Sequence, residues 1–287
     1  MTAALAAFTP AGVLVLLAVV GGMGLAALSR AEWRAAAFAT PALFGVLVLL
    51  AWQAACVGYG VPGVLLPPPS VVGAAGWSNA ALLGADFVQT ALRSVVPGWL
   101  IGCGAGLLAA LLMDRWAWLR RGVLPLSALA GALPIVGVAP IMVMWFGFDW
   151  PSKAAVVVLM TVFPMLVAAT AGLAEAGNLE RDLMRAYAAN GTQVLLKLRL
   201  PAALPHIFGA LKLTFTLALI GAIVAEFFGT PIVGMGFRIS TEAARLNLGL
   251  VWAEIALAAL TGSAGVGLIA LVERRVTFWH ASFRGAS

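Results

Sequence analysis

The sequence predicts an all-α protein that crosses a lipid bilayer several times. Hydrophobic residues make up 63% of the 287 and charged residues only 10%. A soluble domain carries about 25% charged residues, so this chain cannot cover itself with a water-facing surface. The apolar residues also come in runs of roughly 20, the length at which a helix spans hydrocarbon, rather than in the alternating ~10-residue segments of a barrel. The formal net charge of +6 is scattered along the chain with no aromatic-interleaved basic patch. That pattern excludes a nucleic-acid surface and fits cytoplasmic loops enriched in Lys and Arg.

Seven spans are read in order, at residues 11–29, 41–58, 91–113, 123–147, 154–174, 206–229 and 250–272. The first has no positive charge ahead of it and is followed by Arg30 and Arg34. It reads as a retained helix with its N-terminus outside, not as a cleaved signal. After the second span, Tyr59 to Phe87 is an external loop without Lys or Arg, in which "LLPPPSVVGAA" predicts a turn and then a short surface helix. In the third span Gly98, Gly102 and Gly106 recur every four residues. They share one face and let another helix backbone come close, whether in a transport core, in a dimer, or in ordinary helix packing. The fourth span holds Pro134 and Pro140. Proline there would leave carbonyls such as that of Ala130 free to line a cavity, or would simply kink packed helices.

Orientation follows from the charges. Placing Arg30, Arg34, Arg115, Arg120, Arg121, Arg181, Arg185, Lys197, Arg199, Lys212, Arg274, Arg275 and Arg284 in the cytoplasm leaves Arg93, Lys153, Arg238 and Arg245 outside. This is a bias of about three to one in the direction the positive-inside rule requires, with the C-terminus cytoplasmic.

A transport protein also needs a power source. The chain has no GxxxxGK[ST] phosphate loop, and ionisable groups at membrane depth are few: Glu226, Glu254 and Lys212, each near the end of a span. His206 and His280 are isolated, and Cys56 and Cys103 lie inside apolar runs, so neither a metal cluster nor a disulfide framework can be built. What remains is a subunit that borrows energy across a cytoplasmic contact. The loop Glu175 to Pro205 is the longest on the inner side and contains "YAANGTQVLLKLRLPAALP". Tyr187 to Asn190 reads as helical and Gly191 as a break or close-approach point. Thr192 to Leu200 reads as a second short helix, with Leu195, Leu196 and Leu200 on its apolar side and Lys197 and Arg199 towards headgroups or water. Pro201 and Pro205 bracket the start of the next span. The competing reading is an amphipathic interfacial connector.

At these residues the chain resembles the membrane-spanning permease of a type I ABC importer, in the taurine, sulfonate, nitrate and pyrimidine-precursor group. That family's cytoplasmic signature is E-A-A, three residues, G, nine residues, I-x-L-P, and a second L-P. Anchored on "LRLPAALP", the acid falls on Asp182, the alanines on Leu183 and Met184, and the glycine on Ala188, with Gly191 three residues late. "LLPPPSVVGAA", "LPIVGVAPIMVMWFGF", and "LIGAIVAEFFG" with the later "GMG" resemble three further family stretches in the right order. The "KLRLPAALPHIFGALK" wording is most similar to permeases for pyrimidine or riboflavin-like vitamin precursors.

The resemblance implies a six-span permease core over residues 41–287, preceded at 1–40 by an extra N-terminal transmembrane helix and its cytoplasmic link. It implies an inner-membrane subunit that is not itself an enzyme, paired with a second permease copy as a homodimer. Two ATP-binding subunits would hold ATP and Mg, and an external solute-binding protein would deliver the solute. Residues 175–205 would be the coupling loop, carried by Asp182, Arg185, Tyr187, Ala188, Ala189, Asn190, Gly191, Thr192, Gln193, Lys197 and Pro201. Pro134, Pro140, Trp145 and Glu226 would lie along the solute pathway. Sulfonate, taurine or nitrate are the alternative solutes within the family. An ion-coupled secondary carrier and a non-transporting membrane assembly subunit are the readings from outside it.

Overall fold

The computed structural model describes residues 9–29, 36–131, 134–229 and 232–279. Arg30, Arg34, His280 and Arg284 lie outside the described residues, as does part of the 1–40 link. Among the described residues every regular element is helical: α1 (Pro10–Ser29), α2 (Ala36–Gly58), α3 (Pro69–Ser78), α4 (Ala80–Phe87), α5 (Val96–Arg115), α6 (Ala117–Gly131), α7 (Ile135–Phe146), α8 (Trp150–Ala174), α9 (Asn178–Ala186), α10 (Gly191–Val194), α11 (Leu200–Glu226), α12 (Met235–Ala244) and α13 (Leu248–Val276). Six continuous helices among the described residues are long and apolar enough to cross a membrane. The chain is thus an all-α polytopic membrane protein.

Two of the six run more than ten residues beyond the start of the sequence reading. Residues 80–115 and 191–226 each run as one 36-residue helix, about 54 Å at 1.5 Å per residue against a hydrocarbon core of about 30 Å. Each contains a widened stretch with i→i+5 hydrogen bonds, Val88–Val95 and Leu195–Arg199. Both stretches end just before a proline, Pro97 and Pro201. A proline removes its own N–H and crowds the carbonyl four residues back. The wider winding relieves that conflict without breaking the helix.

The single span expected at 123–147 is instead two helices, α6 and α7. Pro134 stands in extended conformation (φ −71°, ψ 109°) at the N-cap of α7, so it separates helices rather than kinking one. The expected surface helix after the proline cluster is present as α3, with Pro69 in its first turn, where a missing N–H costs nothing. The rest of that loop is the first part of the long 80–115 helix rather than a connector.

The chain divides into two compact units, residues 1–80 with 241–254, and residues 81–240 with 255–287. In the first, α1 and α2 lie against each other closely enough that a Cβ on Gly21 would meet the Leu47 side chain at 2.6 Å. Gln53 on α2 and Ser70 on α3 exchange two hydrogen bonds of 3.1 Å, and the Trp52 and Trp252 rings lie 5.0 Å apart.

The second unit is built on α5, α8 and α11. Gly98, Gly102 and Gly106 are buried against α8. A Cβ on Gly98 would stand 2.8 Å from the Ala154 carbonyl, one on Gly102 would strike Thr161 Oγ1, and one on Gly106 the Val162 carbonyl. The small-residue seam expected from the sequence therefore lies within one chain, as backbone-to-backbone packing. Around it Cys103, Ala110, Met165, Ala169, Leu173, Ala203, Ile207 and Ala210 form one apolar core. Val95, Val157, Phe215, Ala218, Leu219 and Ala222 form a second, further along the same helices.

Candidate functional site

Residues 175–205 leave the core at the end of α8 and return to it through α11. The amphipathic helix α9 comes first. Asp182 and Arg185 form an exposed ion pair of 2.9 Å on it. Leu179, Leu183 and Tyr187, spaced four apart and so on one face, are 83%, 56% and 77% exposed.

The helix then ends sharply. Tyr187 is its C-cap, and Ala188 follows in the left-handed region at φ 55°. The Ala188 N–H donates to the Arg185 carbonyl (2.8 Å) and the Ala189 N–H to the Met184 carbonyl (3.0 Å). This is the Schellman closure, in which the left-handed position is usually glycine. Tyr187–Asn190 is therefore a turn rather than the helix expected. The backbone needs its freedom at Ala188, the position aligned with the family's glycine, not at Gly191.

The next helix starts two residues later through a capping box. Asn190 Oδ1 accepts from the Gln193 N–H (2.8 Å), and Gln193 Oε1 accepts from the Asn190 N–H (2.9 Å). Gly191 and Thr192 are exposed in its first turn, and a Cβ on Gly191 would meet nothing within 4 Å. The helix then runs unbroken through Lys197, which is exposed, and Pro201, which is half-buried. It is not a second short piece. Leu195 and Leu200 pack on the apolar core of α5, α8 and α11, as the apolar-side reading required, while Leu196 is exposed.

Arg199 departs from the expectation that it faces headgroups or water. Its Nη1 and Nη2 each donate to one oxygen of Asp114 at 2.6 Å, and its Nε donates to the Leu173 carbonyl at 3.0 Å. Asp114 is in the last turn of α5 and Leu173 in the last turn of α8. One guanidinium thus joins three helices.

At the far end of the same unit the structure assembles a polar knot around Glu226. Glu226 Oε1 accepts from Thr90 Oγ1 (2.8 Å) and Oε2 from the Gly236 N–H (2.7 Å), while Thr90 Oγ1 accepts from the Met235 N–H (2.9 Å). Asp86 accepts from the Gly234 N–H (2.6 Å) and from Arg238 Nε (2.9 Å). Asp86, Thr90 and Glu226 are buried. Gly234, with φ 141°, sits against the Glu226 carboxylate, where a side chain has no room. Lys153 is also buried and donates to the Phe148 and Gly229 carbonyls. Of the basic residues that the charge count leaves outside, Lys153 is buried within the protein and Arg238 is half-buried. Of the residues expected along a pathway, Pro134 is exposed, Pro140 lies within α7, Trp145 is 70% exposed, and Glu226 has both oxygens engaged in the knot.

Sequence reasoning missed Asp86, Thr90, Asp114 and Arg199 as site residues. The only available signal was an acid or hydroxyl near the end of an apolar run, and that signal does not say which distant residue it meets.

Residues 102–278 match the family model described as the inner membrane component of binding-protein-dependent transport systems. A probable ABC transporter permease of Haemophilus influenzae is 31% identical over 215 residues, covering 75% of this chain and 87% of that protein. A riboflavin transport system permease of Chloroflexus aurantiacus is 30% identical, covering 89% and 94%. A formylaminopyrimidine transport permease of Halalkalibacterium halodurans is 29% identical, covering 84% and 95%. With its helical architecture, its matched span and relatives of this length, the chain belongs to the inner-membrane permeases of type I ABC importers.

Proposed function

We propose that this permease carries a small heterocyclic solute, a pyrimidine or riboflavin-like vitamin precursor, from an external binding protein across the inner membrane. ATP and Mg are bound by separate ATPase subunits, two of them beneath a homodimer of permease copies. The riboflavin and formylaminopyrimidine relatives, each matched over more than four-fifths of both chains, support the solute class. In this reading residues 41–287 form the permease and residues 1–40 add a helix to it. The C-terminus is cytoplasmic and the N-terminus external. The solute passes near Pro134, Pro140 and Trp145, with Glu226 securing the outer end.

Residues 175–205 are the coupling loop in this proposal, and the observation that carries the reading is the turn at 187–190. A segment that transmits force must not flex, and here a Schellman closure and a capping box meet within four residues. The apolar stripe Leu179, Leu183, Tyr187 lies exposed beside it on an otherwise polar helix. Such a face suits a groove in another protein. ATP-driven closure of the ATPase pair moves this segment and, through it, the spans.

Gly191→Glu tests the docking. The space around Gly191 is open, so the variant is expected to insert and fold while the co-expressed ATPase subunit no longer co-purifies. Undiminished co-purification refutes the assignment. The solute class is tested separately, by screening the binding protein against flavins, aminopyrimidines, taurine and alkanesulfonates. Binding of a sulfonate in preference to a heterocycle refutes that part alone.

A further inference from the structure

We infer that Arg199 is the transmission pin of this permease, the residue through which movement of the coupling loop reaches the ends of α5 and α8. The inference rests on the reading of residues 175–205 as the coupling loop, but it concerns a different function from docking. The docking face is formed by outward residues, whereas Arg199 points inward and is largely covered, its side chain 19% exposed.

Three observations support it. The first is where the ion pair sits. Arg199 and Asp114 are 85 residues apart in sequence, and their bond is a two-pronged one, each guanidinium nitrogen on its own carboxylate oxygen. A fork-on-fork pair fixes direction as well as distance, which a lysine point charge does not. The second is the third donor, Nε, spent on the Leu173 carbonyl. That carbonyl belongs to the last turn of α8, where no downstream N–H in the helix remains to satisfy it. A cation placed against the C-terminal ends of both α5 and α8 also complements their dipoles.

The third is mechanical. Arg199 closes the widened stretch Leu195–Arg199 and stands two residues before Pro201, where the 191–226 helix lacks a backbone donor. A push on the exposed segment would bend the helix at that weak point and be lost. Arg199 instead clamps the segment to α5 and α8 on the near side of it, so the displacement is shared by three helices. The apolar contacts of Leu195 and Leu200 hold the segment near the core, but they are non-directional. They keep the segment folded without fixing how it transmits load.

The test uses the complete transporter, with its ATPase subunit and its external binding protein as purified, in lipid nanodiscs. Three permeases are compared with the parent: Arg199→Ala, Arg199→Lys, and the reversed pair Asp114→Arg with Arg199→Asp. Arg199→Ala and Arg199→Lys are expected to retain the ATPase and to hydrolyse ATP without the binding protein within about twofold of the parent. Stimulation of hydrolysis by the binding protein should fall about tenfold or more, the size of a typical coupling between sites. The reversed pair should recover only part of it, because it restores the ion pair but an aspartate at position 199 cannot donate to the Leu173 carbonyl. Stimulation within about twofold of the parent in both single variants overturns the inference, as does loss of the ATPase from Arg199→Lys, which would make the residue part of docking or folding. If the parent itself retains no ATPase, the coupling-loop reading fails. If the parent is stimulated and the variants are too, only the pin fails.

Discussion

Three described helices end in the same hydrogen-bonded reversal, and only one uses glycine for it. After α2 the left-handed residue is Gly60, with the Val61 N–H returning to the Cys56 carbonyl at 2.9 Å. After α9 it is Ala188, and after α12 it is Leu246, at φ 55° and 59°. A Cβ in that conformation costs roughly 1–2 kcal/mol, part of which glycine gives back through its freer unfolded chain. Ala188→Gly is therefore expected to stabilise the chain by about 1 kcal/mol. This would be seen as a higher midpoint in denaturing-detergent titration of the purified permease, while Ala188→Val lowers it. A lower midpoint for the glycine variant would mean the turn is held open by something other than local backbone preference. The family's spacing pointed to Ala188, but intrinsic residue preference pointed to Gly191. The sequence alone gave no way to rank the two, because the deciding quantity is a single dihedral angle.

At the scale of elements, apolar runs were legible and their ends were not. Hydrophobicity marks where a helix meets lipid, so 91–113 and 206–229 were visible. The extra turns that carry these helices to Ala80 and back to Gly191 mix Leu, Val and Phe with Asp86, Gln89, Gln193, Lys197 and Arg199, so they read as amphipathic connectors rather than as continuations of a span. Prolines were ambiguous for a physical reason. Pro125, Pro140, Pro164 and Pro205 sit inside helices, whereas Pro134 divides two, and only the surrounding packing distinguishes these cases. The polar knot was least legible, since it draws on residues 86–90, 226 and 234–238. There Asp86 ties the start of one long helix to the start of α12. Asp86→Ala would leave Arg238 and the Gly234 N–H without their carboxylate. Removing one partner of a buried pair costs about 3–5 kcal/mol, so this variant should unfold well below the parent in the same titration. Asp86→Asn, which keeps an acceptor, should fall between them. Equal midpoints for all three would show that the knot holds nothing together.

For the whole molecule, the question is what drives transport, and the disposition of its charges bears on it directly. A carrier coupled to protons or sodium needs an ionisable group at depth that can exchange partners during the cycle. Here Glu226 has both oxygens bonded to Thr90 and Gly236, and Asp86 is paired with Arg238. Lys153 is spent on two backbone carbonyls, and Lys212 is bonded to Glu273 at 2.7 Å. These groups act as ties between helices, not as exchangeable ligands. Leu179, Leu183 and Tyr187 are exposed on one face of α9, the face that the proposed coupling loop would offer to a partner. In the proposed reading energy enters by contact at that face. Proteoliposomes holding the complete transporter and ATP should keep taking up the solute of the binding protein when a protonophore collapses the proton gradient. Uptake should fall to background when the ATPase subunit carries an inactivating substitution in its own phosphate loop. The opposite result, uptake lost with the gradient and indifferent to the ATPase, would reassign the buried carboxylates as coupling groups and make Glu226 the first to investigate.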